Sequence, residues 1–308
     1  MKQLFAFSQN TLPKEFRGLI CPHYTAVAAG KLRIFRAQDT PGLVQSYFSN
    51  GATMPREHWV LMNDDKVWGS LTPLELQSQS HHAWFAHGNV VVMGLGMGAV
   101  LYNLLKNPKV ASITVVEREQ TVVNLLRQSA PWFSASIDVG KITVCIGDAF
   151  RFTPPNGSVV DSLIIDLWTG MGQQRTQSDV LKIQKNVRAT HVGWWGQELS
   201  IVSWVYRHYP EKTRFPFRRE HTVGYETAHG FKVLGTSHSA YPSLMLAASV
   251  NASVGTMQQS QSKSATITDN AHGSGAIVTA KPNIPIEPKT QGIGALGFGA
   301  LFKGFFNR

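Results

Sequence analysis

The chain has 308 residues, a formal net charge of +10 and a hydrophobic content of 43%. That length allows one large or two modest domains with a sizeable core, and the positive balance favours anionic partners without identifying a site. The two cysteines, Cys21 and Cys145, make no disulfide framework, no stretch reaches the roughly 18 apolar residues of a membrane span, and residues 1–9 are too short an apolar start for a secretory signal; a reducing, cytoplasmic setting is expected.

Residues 1–72 read as a small β-rich domain. The segment 31–36 alternates apolar and polar, as a half-buried strand does. Residues 58–62 and 66–68 flank the polar turn Asn63-Asp64-Asp65 and predict a hairpin. Thr72-Pro73-Leu74-Glu75 is a helix start: a threonine cap, proline at the first position, and Glu75 placed for a capping box. That helix runs toward Ala86 and is broken by His87-Gly88-Asn89.

Residues 73–250 form the expected α/β core. Val90-Val91-Val92-Met93 predicts a buried strand, Gly94, Gly96 and Gly98 a tight turn, and 99–106 a helix. Glycines permit positive φ and close approach of a ligand to the backbone, and the free N–H groups of the following helix favour a polar or anionic group. Three more strand-like runs each end in an acid: 112–116 at Glu117, 142–146 at Asp148, and 162–165 at Asp166. Cys145, inside the second run, is expected as a small core residue. A helix at 120–128 separates the first two. This alternation predicts a parallel sheet, with the glycine turn and all three acids on its carboxyl edge, where such sheets bind ligands. Further on, 178–188 and 197–206 read as helices, and 230–235 with 243–248 as a closing pair of strands. From 251 to 308 the composition changes: 251–275 reads as a disordered polar linker, 281–289 holds prolines, and 292–306 is an apolar, glycine-rich tail suited to docking on a protein or membrane surface.

The parts fit a class I S-adenosylmethionine (SAM) site. The glycine turn admits the methionine portion and ribose, Glu117 takes the ribose hydroxyls, Asp148 takes the adenine amino group, and Asp166 faces the reacting centre. A nicotinamide dinucleotide competes: Gly94-x-Gly96-x-x-Ala99 with Glu117 about 20 residues on also satisfies that fingerprint. Asp148 has a task only in the SAM pattern, and some ninety residues precede the turn, so SAM is preferred.

From about 57 to 170 the chain resembles the spermidine synthase family and its methyltransferase-like relatives. The resemblance rests on the hairpin, the helix carrying Glu75, the glycine motif, Val-Val-Glu at 115–117, Gly-Asp-Ala at 147–149 and Ile-Ile-Asp at 164–166. It implies an N-terminal β domain, a Rossmann-like domain, and SAM or decarboxylated SAM as donor, with Asp166 in the position of the family's general base. Two positions depart. The aspartate of the family's glycine motif is Met97 here, and its second catalytic-loop aspartate, followed by proline, is replaced at Thr169-Gly170. Neither supplies the charge that anchors cationic amines, and a +10 protein repels a polycation at long range. The expected activity is methyl transfer to a small or anionic acceptor, with aminopropyl transfer or a non-catalytic assembly role as alternatives. For Asp166 a purely structural role also stands, capping backbone N–H groups of residues 167–174.

Other features are weaker. His81, His82 and His87 lack metal-ligand spacing, and no metal is expected. Trp168, Trp194 and Trp195 suit core packing or an acceptor pocket. The basic, aromatic run from Arg207 to Arg219 suits a solvated loop more than nucleic acid, for which no methyltransferase motif speaks. Self-association as a homodimer stays open.

Overall fold

The computed structural model of the chain describes residues 8, 10–39 and 42–261. The expectations for residues 262–275, 281–289 and 292–306 lie outside them. After a short 3-10 turn at Lys14–Phe16 come the strands β1 (Val27–Ala29), β2 (Leu32–Gln38), β3 (Gly42–Gln45), β4 (Asn50–Met54), β5 (Glu57–Asn63) and β6 (Lys66–Ser70). The antiparallel order β1-β2-β5-β6 makes one small sheet, and β3 pairs with β4. Leu32 and Ile34 are buried while Arg33 is exposed, the alternation that a one-sided sheet requires. The β5–β6 turn is tight, and Asp64 takes a positive φ of 53° there.

The second half begins with α1 (Pro73–Phe85) and continues through β7 (Gly88–Met93), α2 (Ala99–Leu104), β8 (Val110–Glu117), α3 (Gln120–Ser129), α4 (Pro131–Asp138), β9 (Ile142–Ile146) and β10 (Ser162–Ile165). It ends with α5 (Thr176–Val187), β11 (His191–Trp194), α6 (Gln197–His208), α7 (Glu211–Arg214), α8 (Arg219–His229), β12 (Lys232–Val233) and α9 (Tyr241–Gln261). The strands form one six-stranded sheet in the order β12-β11-β10-β7-β8-β9, every pair parallel. This is the Rossmann-like α/β fold that the alternation predicts. The order reverses between β7 and β10, so the crevice at their carboxyl ends is the switch point.

Both faces of β7 are covered. Val90 and Val92 join a core with Ile113, Val115 and the small sheet's Leu32, Ile34 and Leu61. Val91 and Met93 join the opposite core with Ile165, Val192, Trp194 and residues of α5, α6 and α9. A strand buried on both sides cannot alternate in polarity, which is why its sequence reads as a continuous apolar run.

The structure corrects three readings at the chain's later end and one in the sheet. Residues 243–248 are not a strand but the early turns of α9, with Leu244, Met245 and Ala248 fully buried. Leu, Met and Ala favour helix, and a short apolar run has no period that separates the two states. The other half of the expected pair shrinks to Lys232–Val233, added parallel to β11. Helix α9 continues through Gln261, across the stretch expected as linker from 251. Cys145 is only partly buried, because β9 is an edge strand. Among the described residues no helix is long and apolar enough to cross a membrane.

Candidate active site

The crevice at the switch point is lined by Trp68, Ser70, Glu75 and Gln79 from the β6–α1 segment, the turn at Gly94–Gly98, Asp166 after β10, and Trp168 and Trp195. It encloses about 70 Å³.

Three glycines shape the turn that forms one side of the crevice. Gly94 has a φ of 91°, and a Cβ there would collide with the carbonyl oxygen of Asp166. Only glycine lets the ends of β7 and β10 approach so closely. Gly96 has a φ of 49° with open space where a Cβ would stand, a cradle that a ligand can enter. Gly98, at φ 71°, caps α2, and a Cβ there would press on Leu126 and Trp132. Two tethers hold the turn: Gly94 N–H donates to Val116 O at 2.9 Å, and the buried Tyr24 hydroxyl donates to Met97 O at 2.7 Å. Tyr24 belongs to the N-terminal region, so both halves of the chain shape the turn.

Glu117 stands at the end of β8 beside this turn. One carboxylate oxygen accepts from Leu95 N–H and the other from Glu119 N–H, each at 2.9 Å. Each oxygen keeps a further lone-pair site for a ligand hydroxyl. Asp148 is exposed; it accepts from Phe150 N–H at 2.9 Å and lies 4.0 Å from the Arg151 guanidinium. Glu117 and Asp148 follow the glycine turn outward along the sheet edge, beyond the residues that line the crevice.

Asp166 accepts from the Gln79 side-chain amide at 3.0 Å. Its carboxylate does not cap the 167–174 backbone; it turns toward α1. Burial pushes its carboxyl up to about 6, although the Gln79 bond pulls the other way. Across the crevice, Glu75 departs from the capping-box expectation. Thr72 caps α1 by accepting from Glu75 N–H at 3.5 Å. The Glu75 carboxylate accepts instead from Ser70 N–H and, at 2.8 Å, from the Ser70 hydroxyl. Burial raises Glu75 to about 7, opposed by the Ser70 bonds and reinforced by the charge of Asp166. Among the described residues, Glu75 and Asp166 are the only charged side chains lining the crevice. Met97, buried, brings an apolar wall where the glycine turn meets the small sheet at Gly69. Sequence reasoning read Glu75 as a cap and passed over Gln79, Ser70 and Trp68. The available signal was periodicity: Glu75 and Gln79 are i,i+4 on one helix and so share a face.

The tryptophans divide. Trp168 and Trp195 line the crevice, each tied by its indole N–H, to Asp179 at 3.2 Å and to the Ser78 hydroxyl at 2.9 Å. Trp194 is core. His81 and His82 are buried residues of α1, His81 3.2 Å from Glu198 and His82 3.0 Å from Gln197. Among the described residues no cluster of three metal-ligating side chains occurs.

Residues 77–188 match the family model of the spermine/spermidine synthase domain. A putrescine N-methyltransferase of Nicotiana tabacum is 30% identical over 78 residues, 25% of this chain and 20% of that protein. A polyamine aminopropyltransferase of Bacillus mycoides is 30% identical over 90 residues, 28% of this chain and 33% of that protein. The chain therefore matches only a fifth to a third of the length of these curated relatives. A crystal structure of spermidine synthase from Thermotoga maritima aligns over 56% of this chain and 54% of that one, with a TM-score of 0.33 and 13% identity. The matched segment runs from α1 through α5 and holds the glycine turn, Glu117, Asp148 and Asp166. Over residues 77–188 the chain carries a spermine/spermidine synthase domain, distantly homologous to polyamine aminopropyltransferases and putrescine N-methyltransferases.

Proposed function

We propose that the protein is a SAM-dependent methyltransferase acting on a small amine, with Asp166 as general base. The observation that carries this reading is the pair Glu75 and Asp166, the only charges among the described residues of a crevice walled by tryptophans. An anionic acceptor, suggested by the +10 overall charge, would meet two carboxylates there. A protonated amine offsets their repulsion and relieves the cost of burying them.

The donor supplies an activated, sulfonium-bound methyl carbon. The residues present suit it: an open cradle at Gly96, and Glu117 and Asp148 along the strand edge for the ribose and adenine. The chain's own work is alignment and proton removal. Glu75 holds the acceptor as an ammonium. Asp166, oriented by the Gln79 amide, takes the proton that the attacking nitrogen must lose. The nitrogen lone pair then forms the new C–N bond as the C–S bond breaks, leaving a neutral thioether and a protonated Asp166.

Aminopropyl transfer is the second reading, favoured by the match to the Bacillus aminopropyltransferase. Against it stands Met97, whose thioether offers no anion to the free ammonium of a decarboxylated donor. Calorimetric titration with SAM and decarboxylated SAM, followed by turnover with a panel of small diamines and carboxylates, tests both. SAM preference with methylated diamine supports the proposal. Preference for the decarboxylated donor transfers the assignment to aminopropyl transfer, and binding of neither sinks both.

A further inference from the structure

We propose that the amino-end edge of the parallel sheet carries a second site, for a small organic polyanion bearing phosphate or carboxylate groups. It is a cavity of about 280 Å³ where β11 and β12 begin, beside the start of β7, at the opposite edge from Gly94 and Asp166. His87, His191, Arg219, Lys232 and Glu226 line it. The charges do not cancel. Glu226 is already spoken for: one oxygen accepts from Val233 N–H at 2.9 Å and the Thr236 hydroxyl at 2.7 Å, the other lies 3.5 Å from the Lys232 ammonium. The exposed Arg219 guanidinium has no hydrogen-bond or ion-pair partner among the described residues. His87 and His191 meet edge to face at 4.8 Å, adding two potential donors without an added anion.

Arg219 also stands at the first residue of α8, the end of a helix whose dipole disfavours a cation. Helix stability therefore gives no reason for an arginine there. A planar five-donor guanidinium beside an ammonium and two imidazoles is matched to phosphate or carboxylate oxygens. The walls add apolar surface from Phe85, Val233 and Leu234, so the cavity takes more than a bare ion. A metal cation is disfavoured by the same excess of positive charge.

The test uses the full chain with pyrophosphate and citrate as probes, read by calorimetry and by the imidazole C–H resonances of His87 and His191. The expected result is a Kd below about 1 mM, with both imidazoles shifting. Arg219→Gln should weaken binding about tenfold, the loss of one charge-assisted contact. Lys31→Gln, an equal charge change on the distant β2 hairpin, should leave it unchanged. Tighter pyrophosphate assigns a phosphate ester, tighter citrate a polycarboxylate. Absence of binding, or equal weakening by both variants, overturns the proposal, since the latter means diffuse attraction to a +10 surface. SAM titration of Arg219→Gln is a separate readout and stays at the unsubstituted value.

Discussion

Asp166 and Glu75 show what one carboxylate's surroundings decide. Both sit at strand or helix ends where a solvated acid would be unremarkable, yet burial holds both above the ordinary carboxylate range, to about 6 and about 7. Asp166→Asn should lower turnover at least about a hundredfold, while calorimetry finds SAM affinity nearly unchanged. The rate should rise as pH passes through roughly 6 to 7, the apparent values belonging to the pair. Glu75→Gln should leave the rising limb of kcat near 6, because Glu75 still holds its proton where Asp166 loses its own. Stability has the opposite sense. Each carboxyl binds its proton more tightly folded than unfolded, so the folded state loses stability as pH climbs from about 4 to about 7 and stays lower above that. Glu75→Gln should therefore be more stable than the parent at pH 8 by about 1–3 kcal/mol, less where water screens the site, with no gain at pH 4. Denaturation at the two pH values reads this directly. The acid at 166 was legible from its place at a strand end. The acid at 75 was not, because Thr72-Pro73-x-Glu75 satisfies the rule for a helix start, and one carboxylate cannot serve both the cap and the crevice.

At the scale of elements, helix α9 was misread and its anchoring explains why. Its first turns are held by a buried network: the Tyr241 hydroxyl donates to Glu198 at 2.9 Å and accepts from the Gln197 amide at 2.7 Å, and Tyr47 donates to the other Glu198 oxygen at 2.9 Å. Burial alone would raise Glu198, but His81, a backbone hydrogen bond and the Tyr47 bond overcome it and hold the carboxyl below its usual range. None of this pairing is local in sequence, so a six-residue apolar window could not reveal it. Leu244, fully buried against this layer, should cost about 2–5 kcal/mol when cut to alanine, measured by denaturant unfolding. Tyr241→Phe should cost about 1–3 kcal/mol, since it leaves buried partners unmatched. By contrast β7 and β10 were read correctly, because a strand buried on both faces writes its position as an apolar run, whereas β8, with Ser112 exposed and Thr114 half-buried, was legible from its β-branched residues.

For the whole molecule, the parallel sheet was implied by the βα alternation, and the N-terminal sheet by its hairpin pattern, while the strand order was not. What composition could not convey was their mutual dependence. The Tyr24 hydroxyl bonded to Met97 O joins the N-terminal region to the glycine turn after β7. Tyr24→Phe should therefore weaken SAM binding several-fold while shifting the melting midpoint by only a few degrees, as expected for one hydrogen bond. A change confined to stability would contradict that coupling. The overall charge was a poor guide to the crevice, since Glu75 and Asp166 give it the sign opposite to that of the molecule. A field summed over a surface says little about a recess that excludes most of it.

Ser70, Glu75 and Gln79 lie within one short segment, ahead of the strand that begins the donor cradle. Under the proposed function, selection on the acceptor can therefore act on residues 70–79 together with Asp166, Trp168 and Trp195, while the glycine turn answers to the donor. A lineage could trade one acceptor for another through a few codons there and keep its donor chemistry intact. The same separation gives a protein engineer a compact cassette to randomise, with Glu75 the position that the proposed function expects to set the charge of what is accepted.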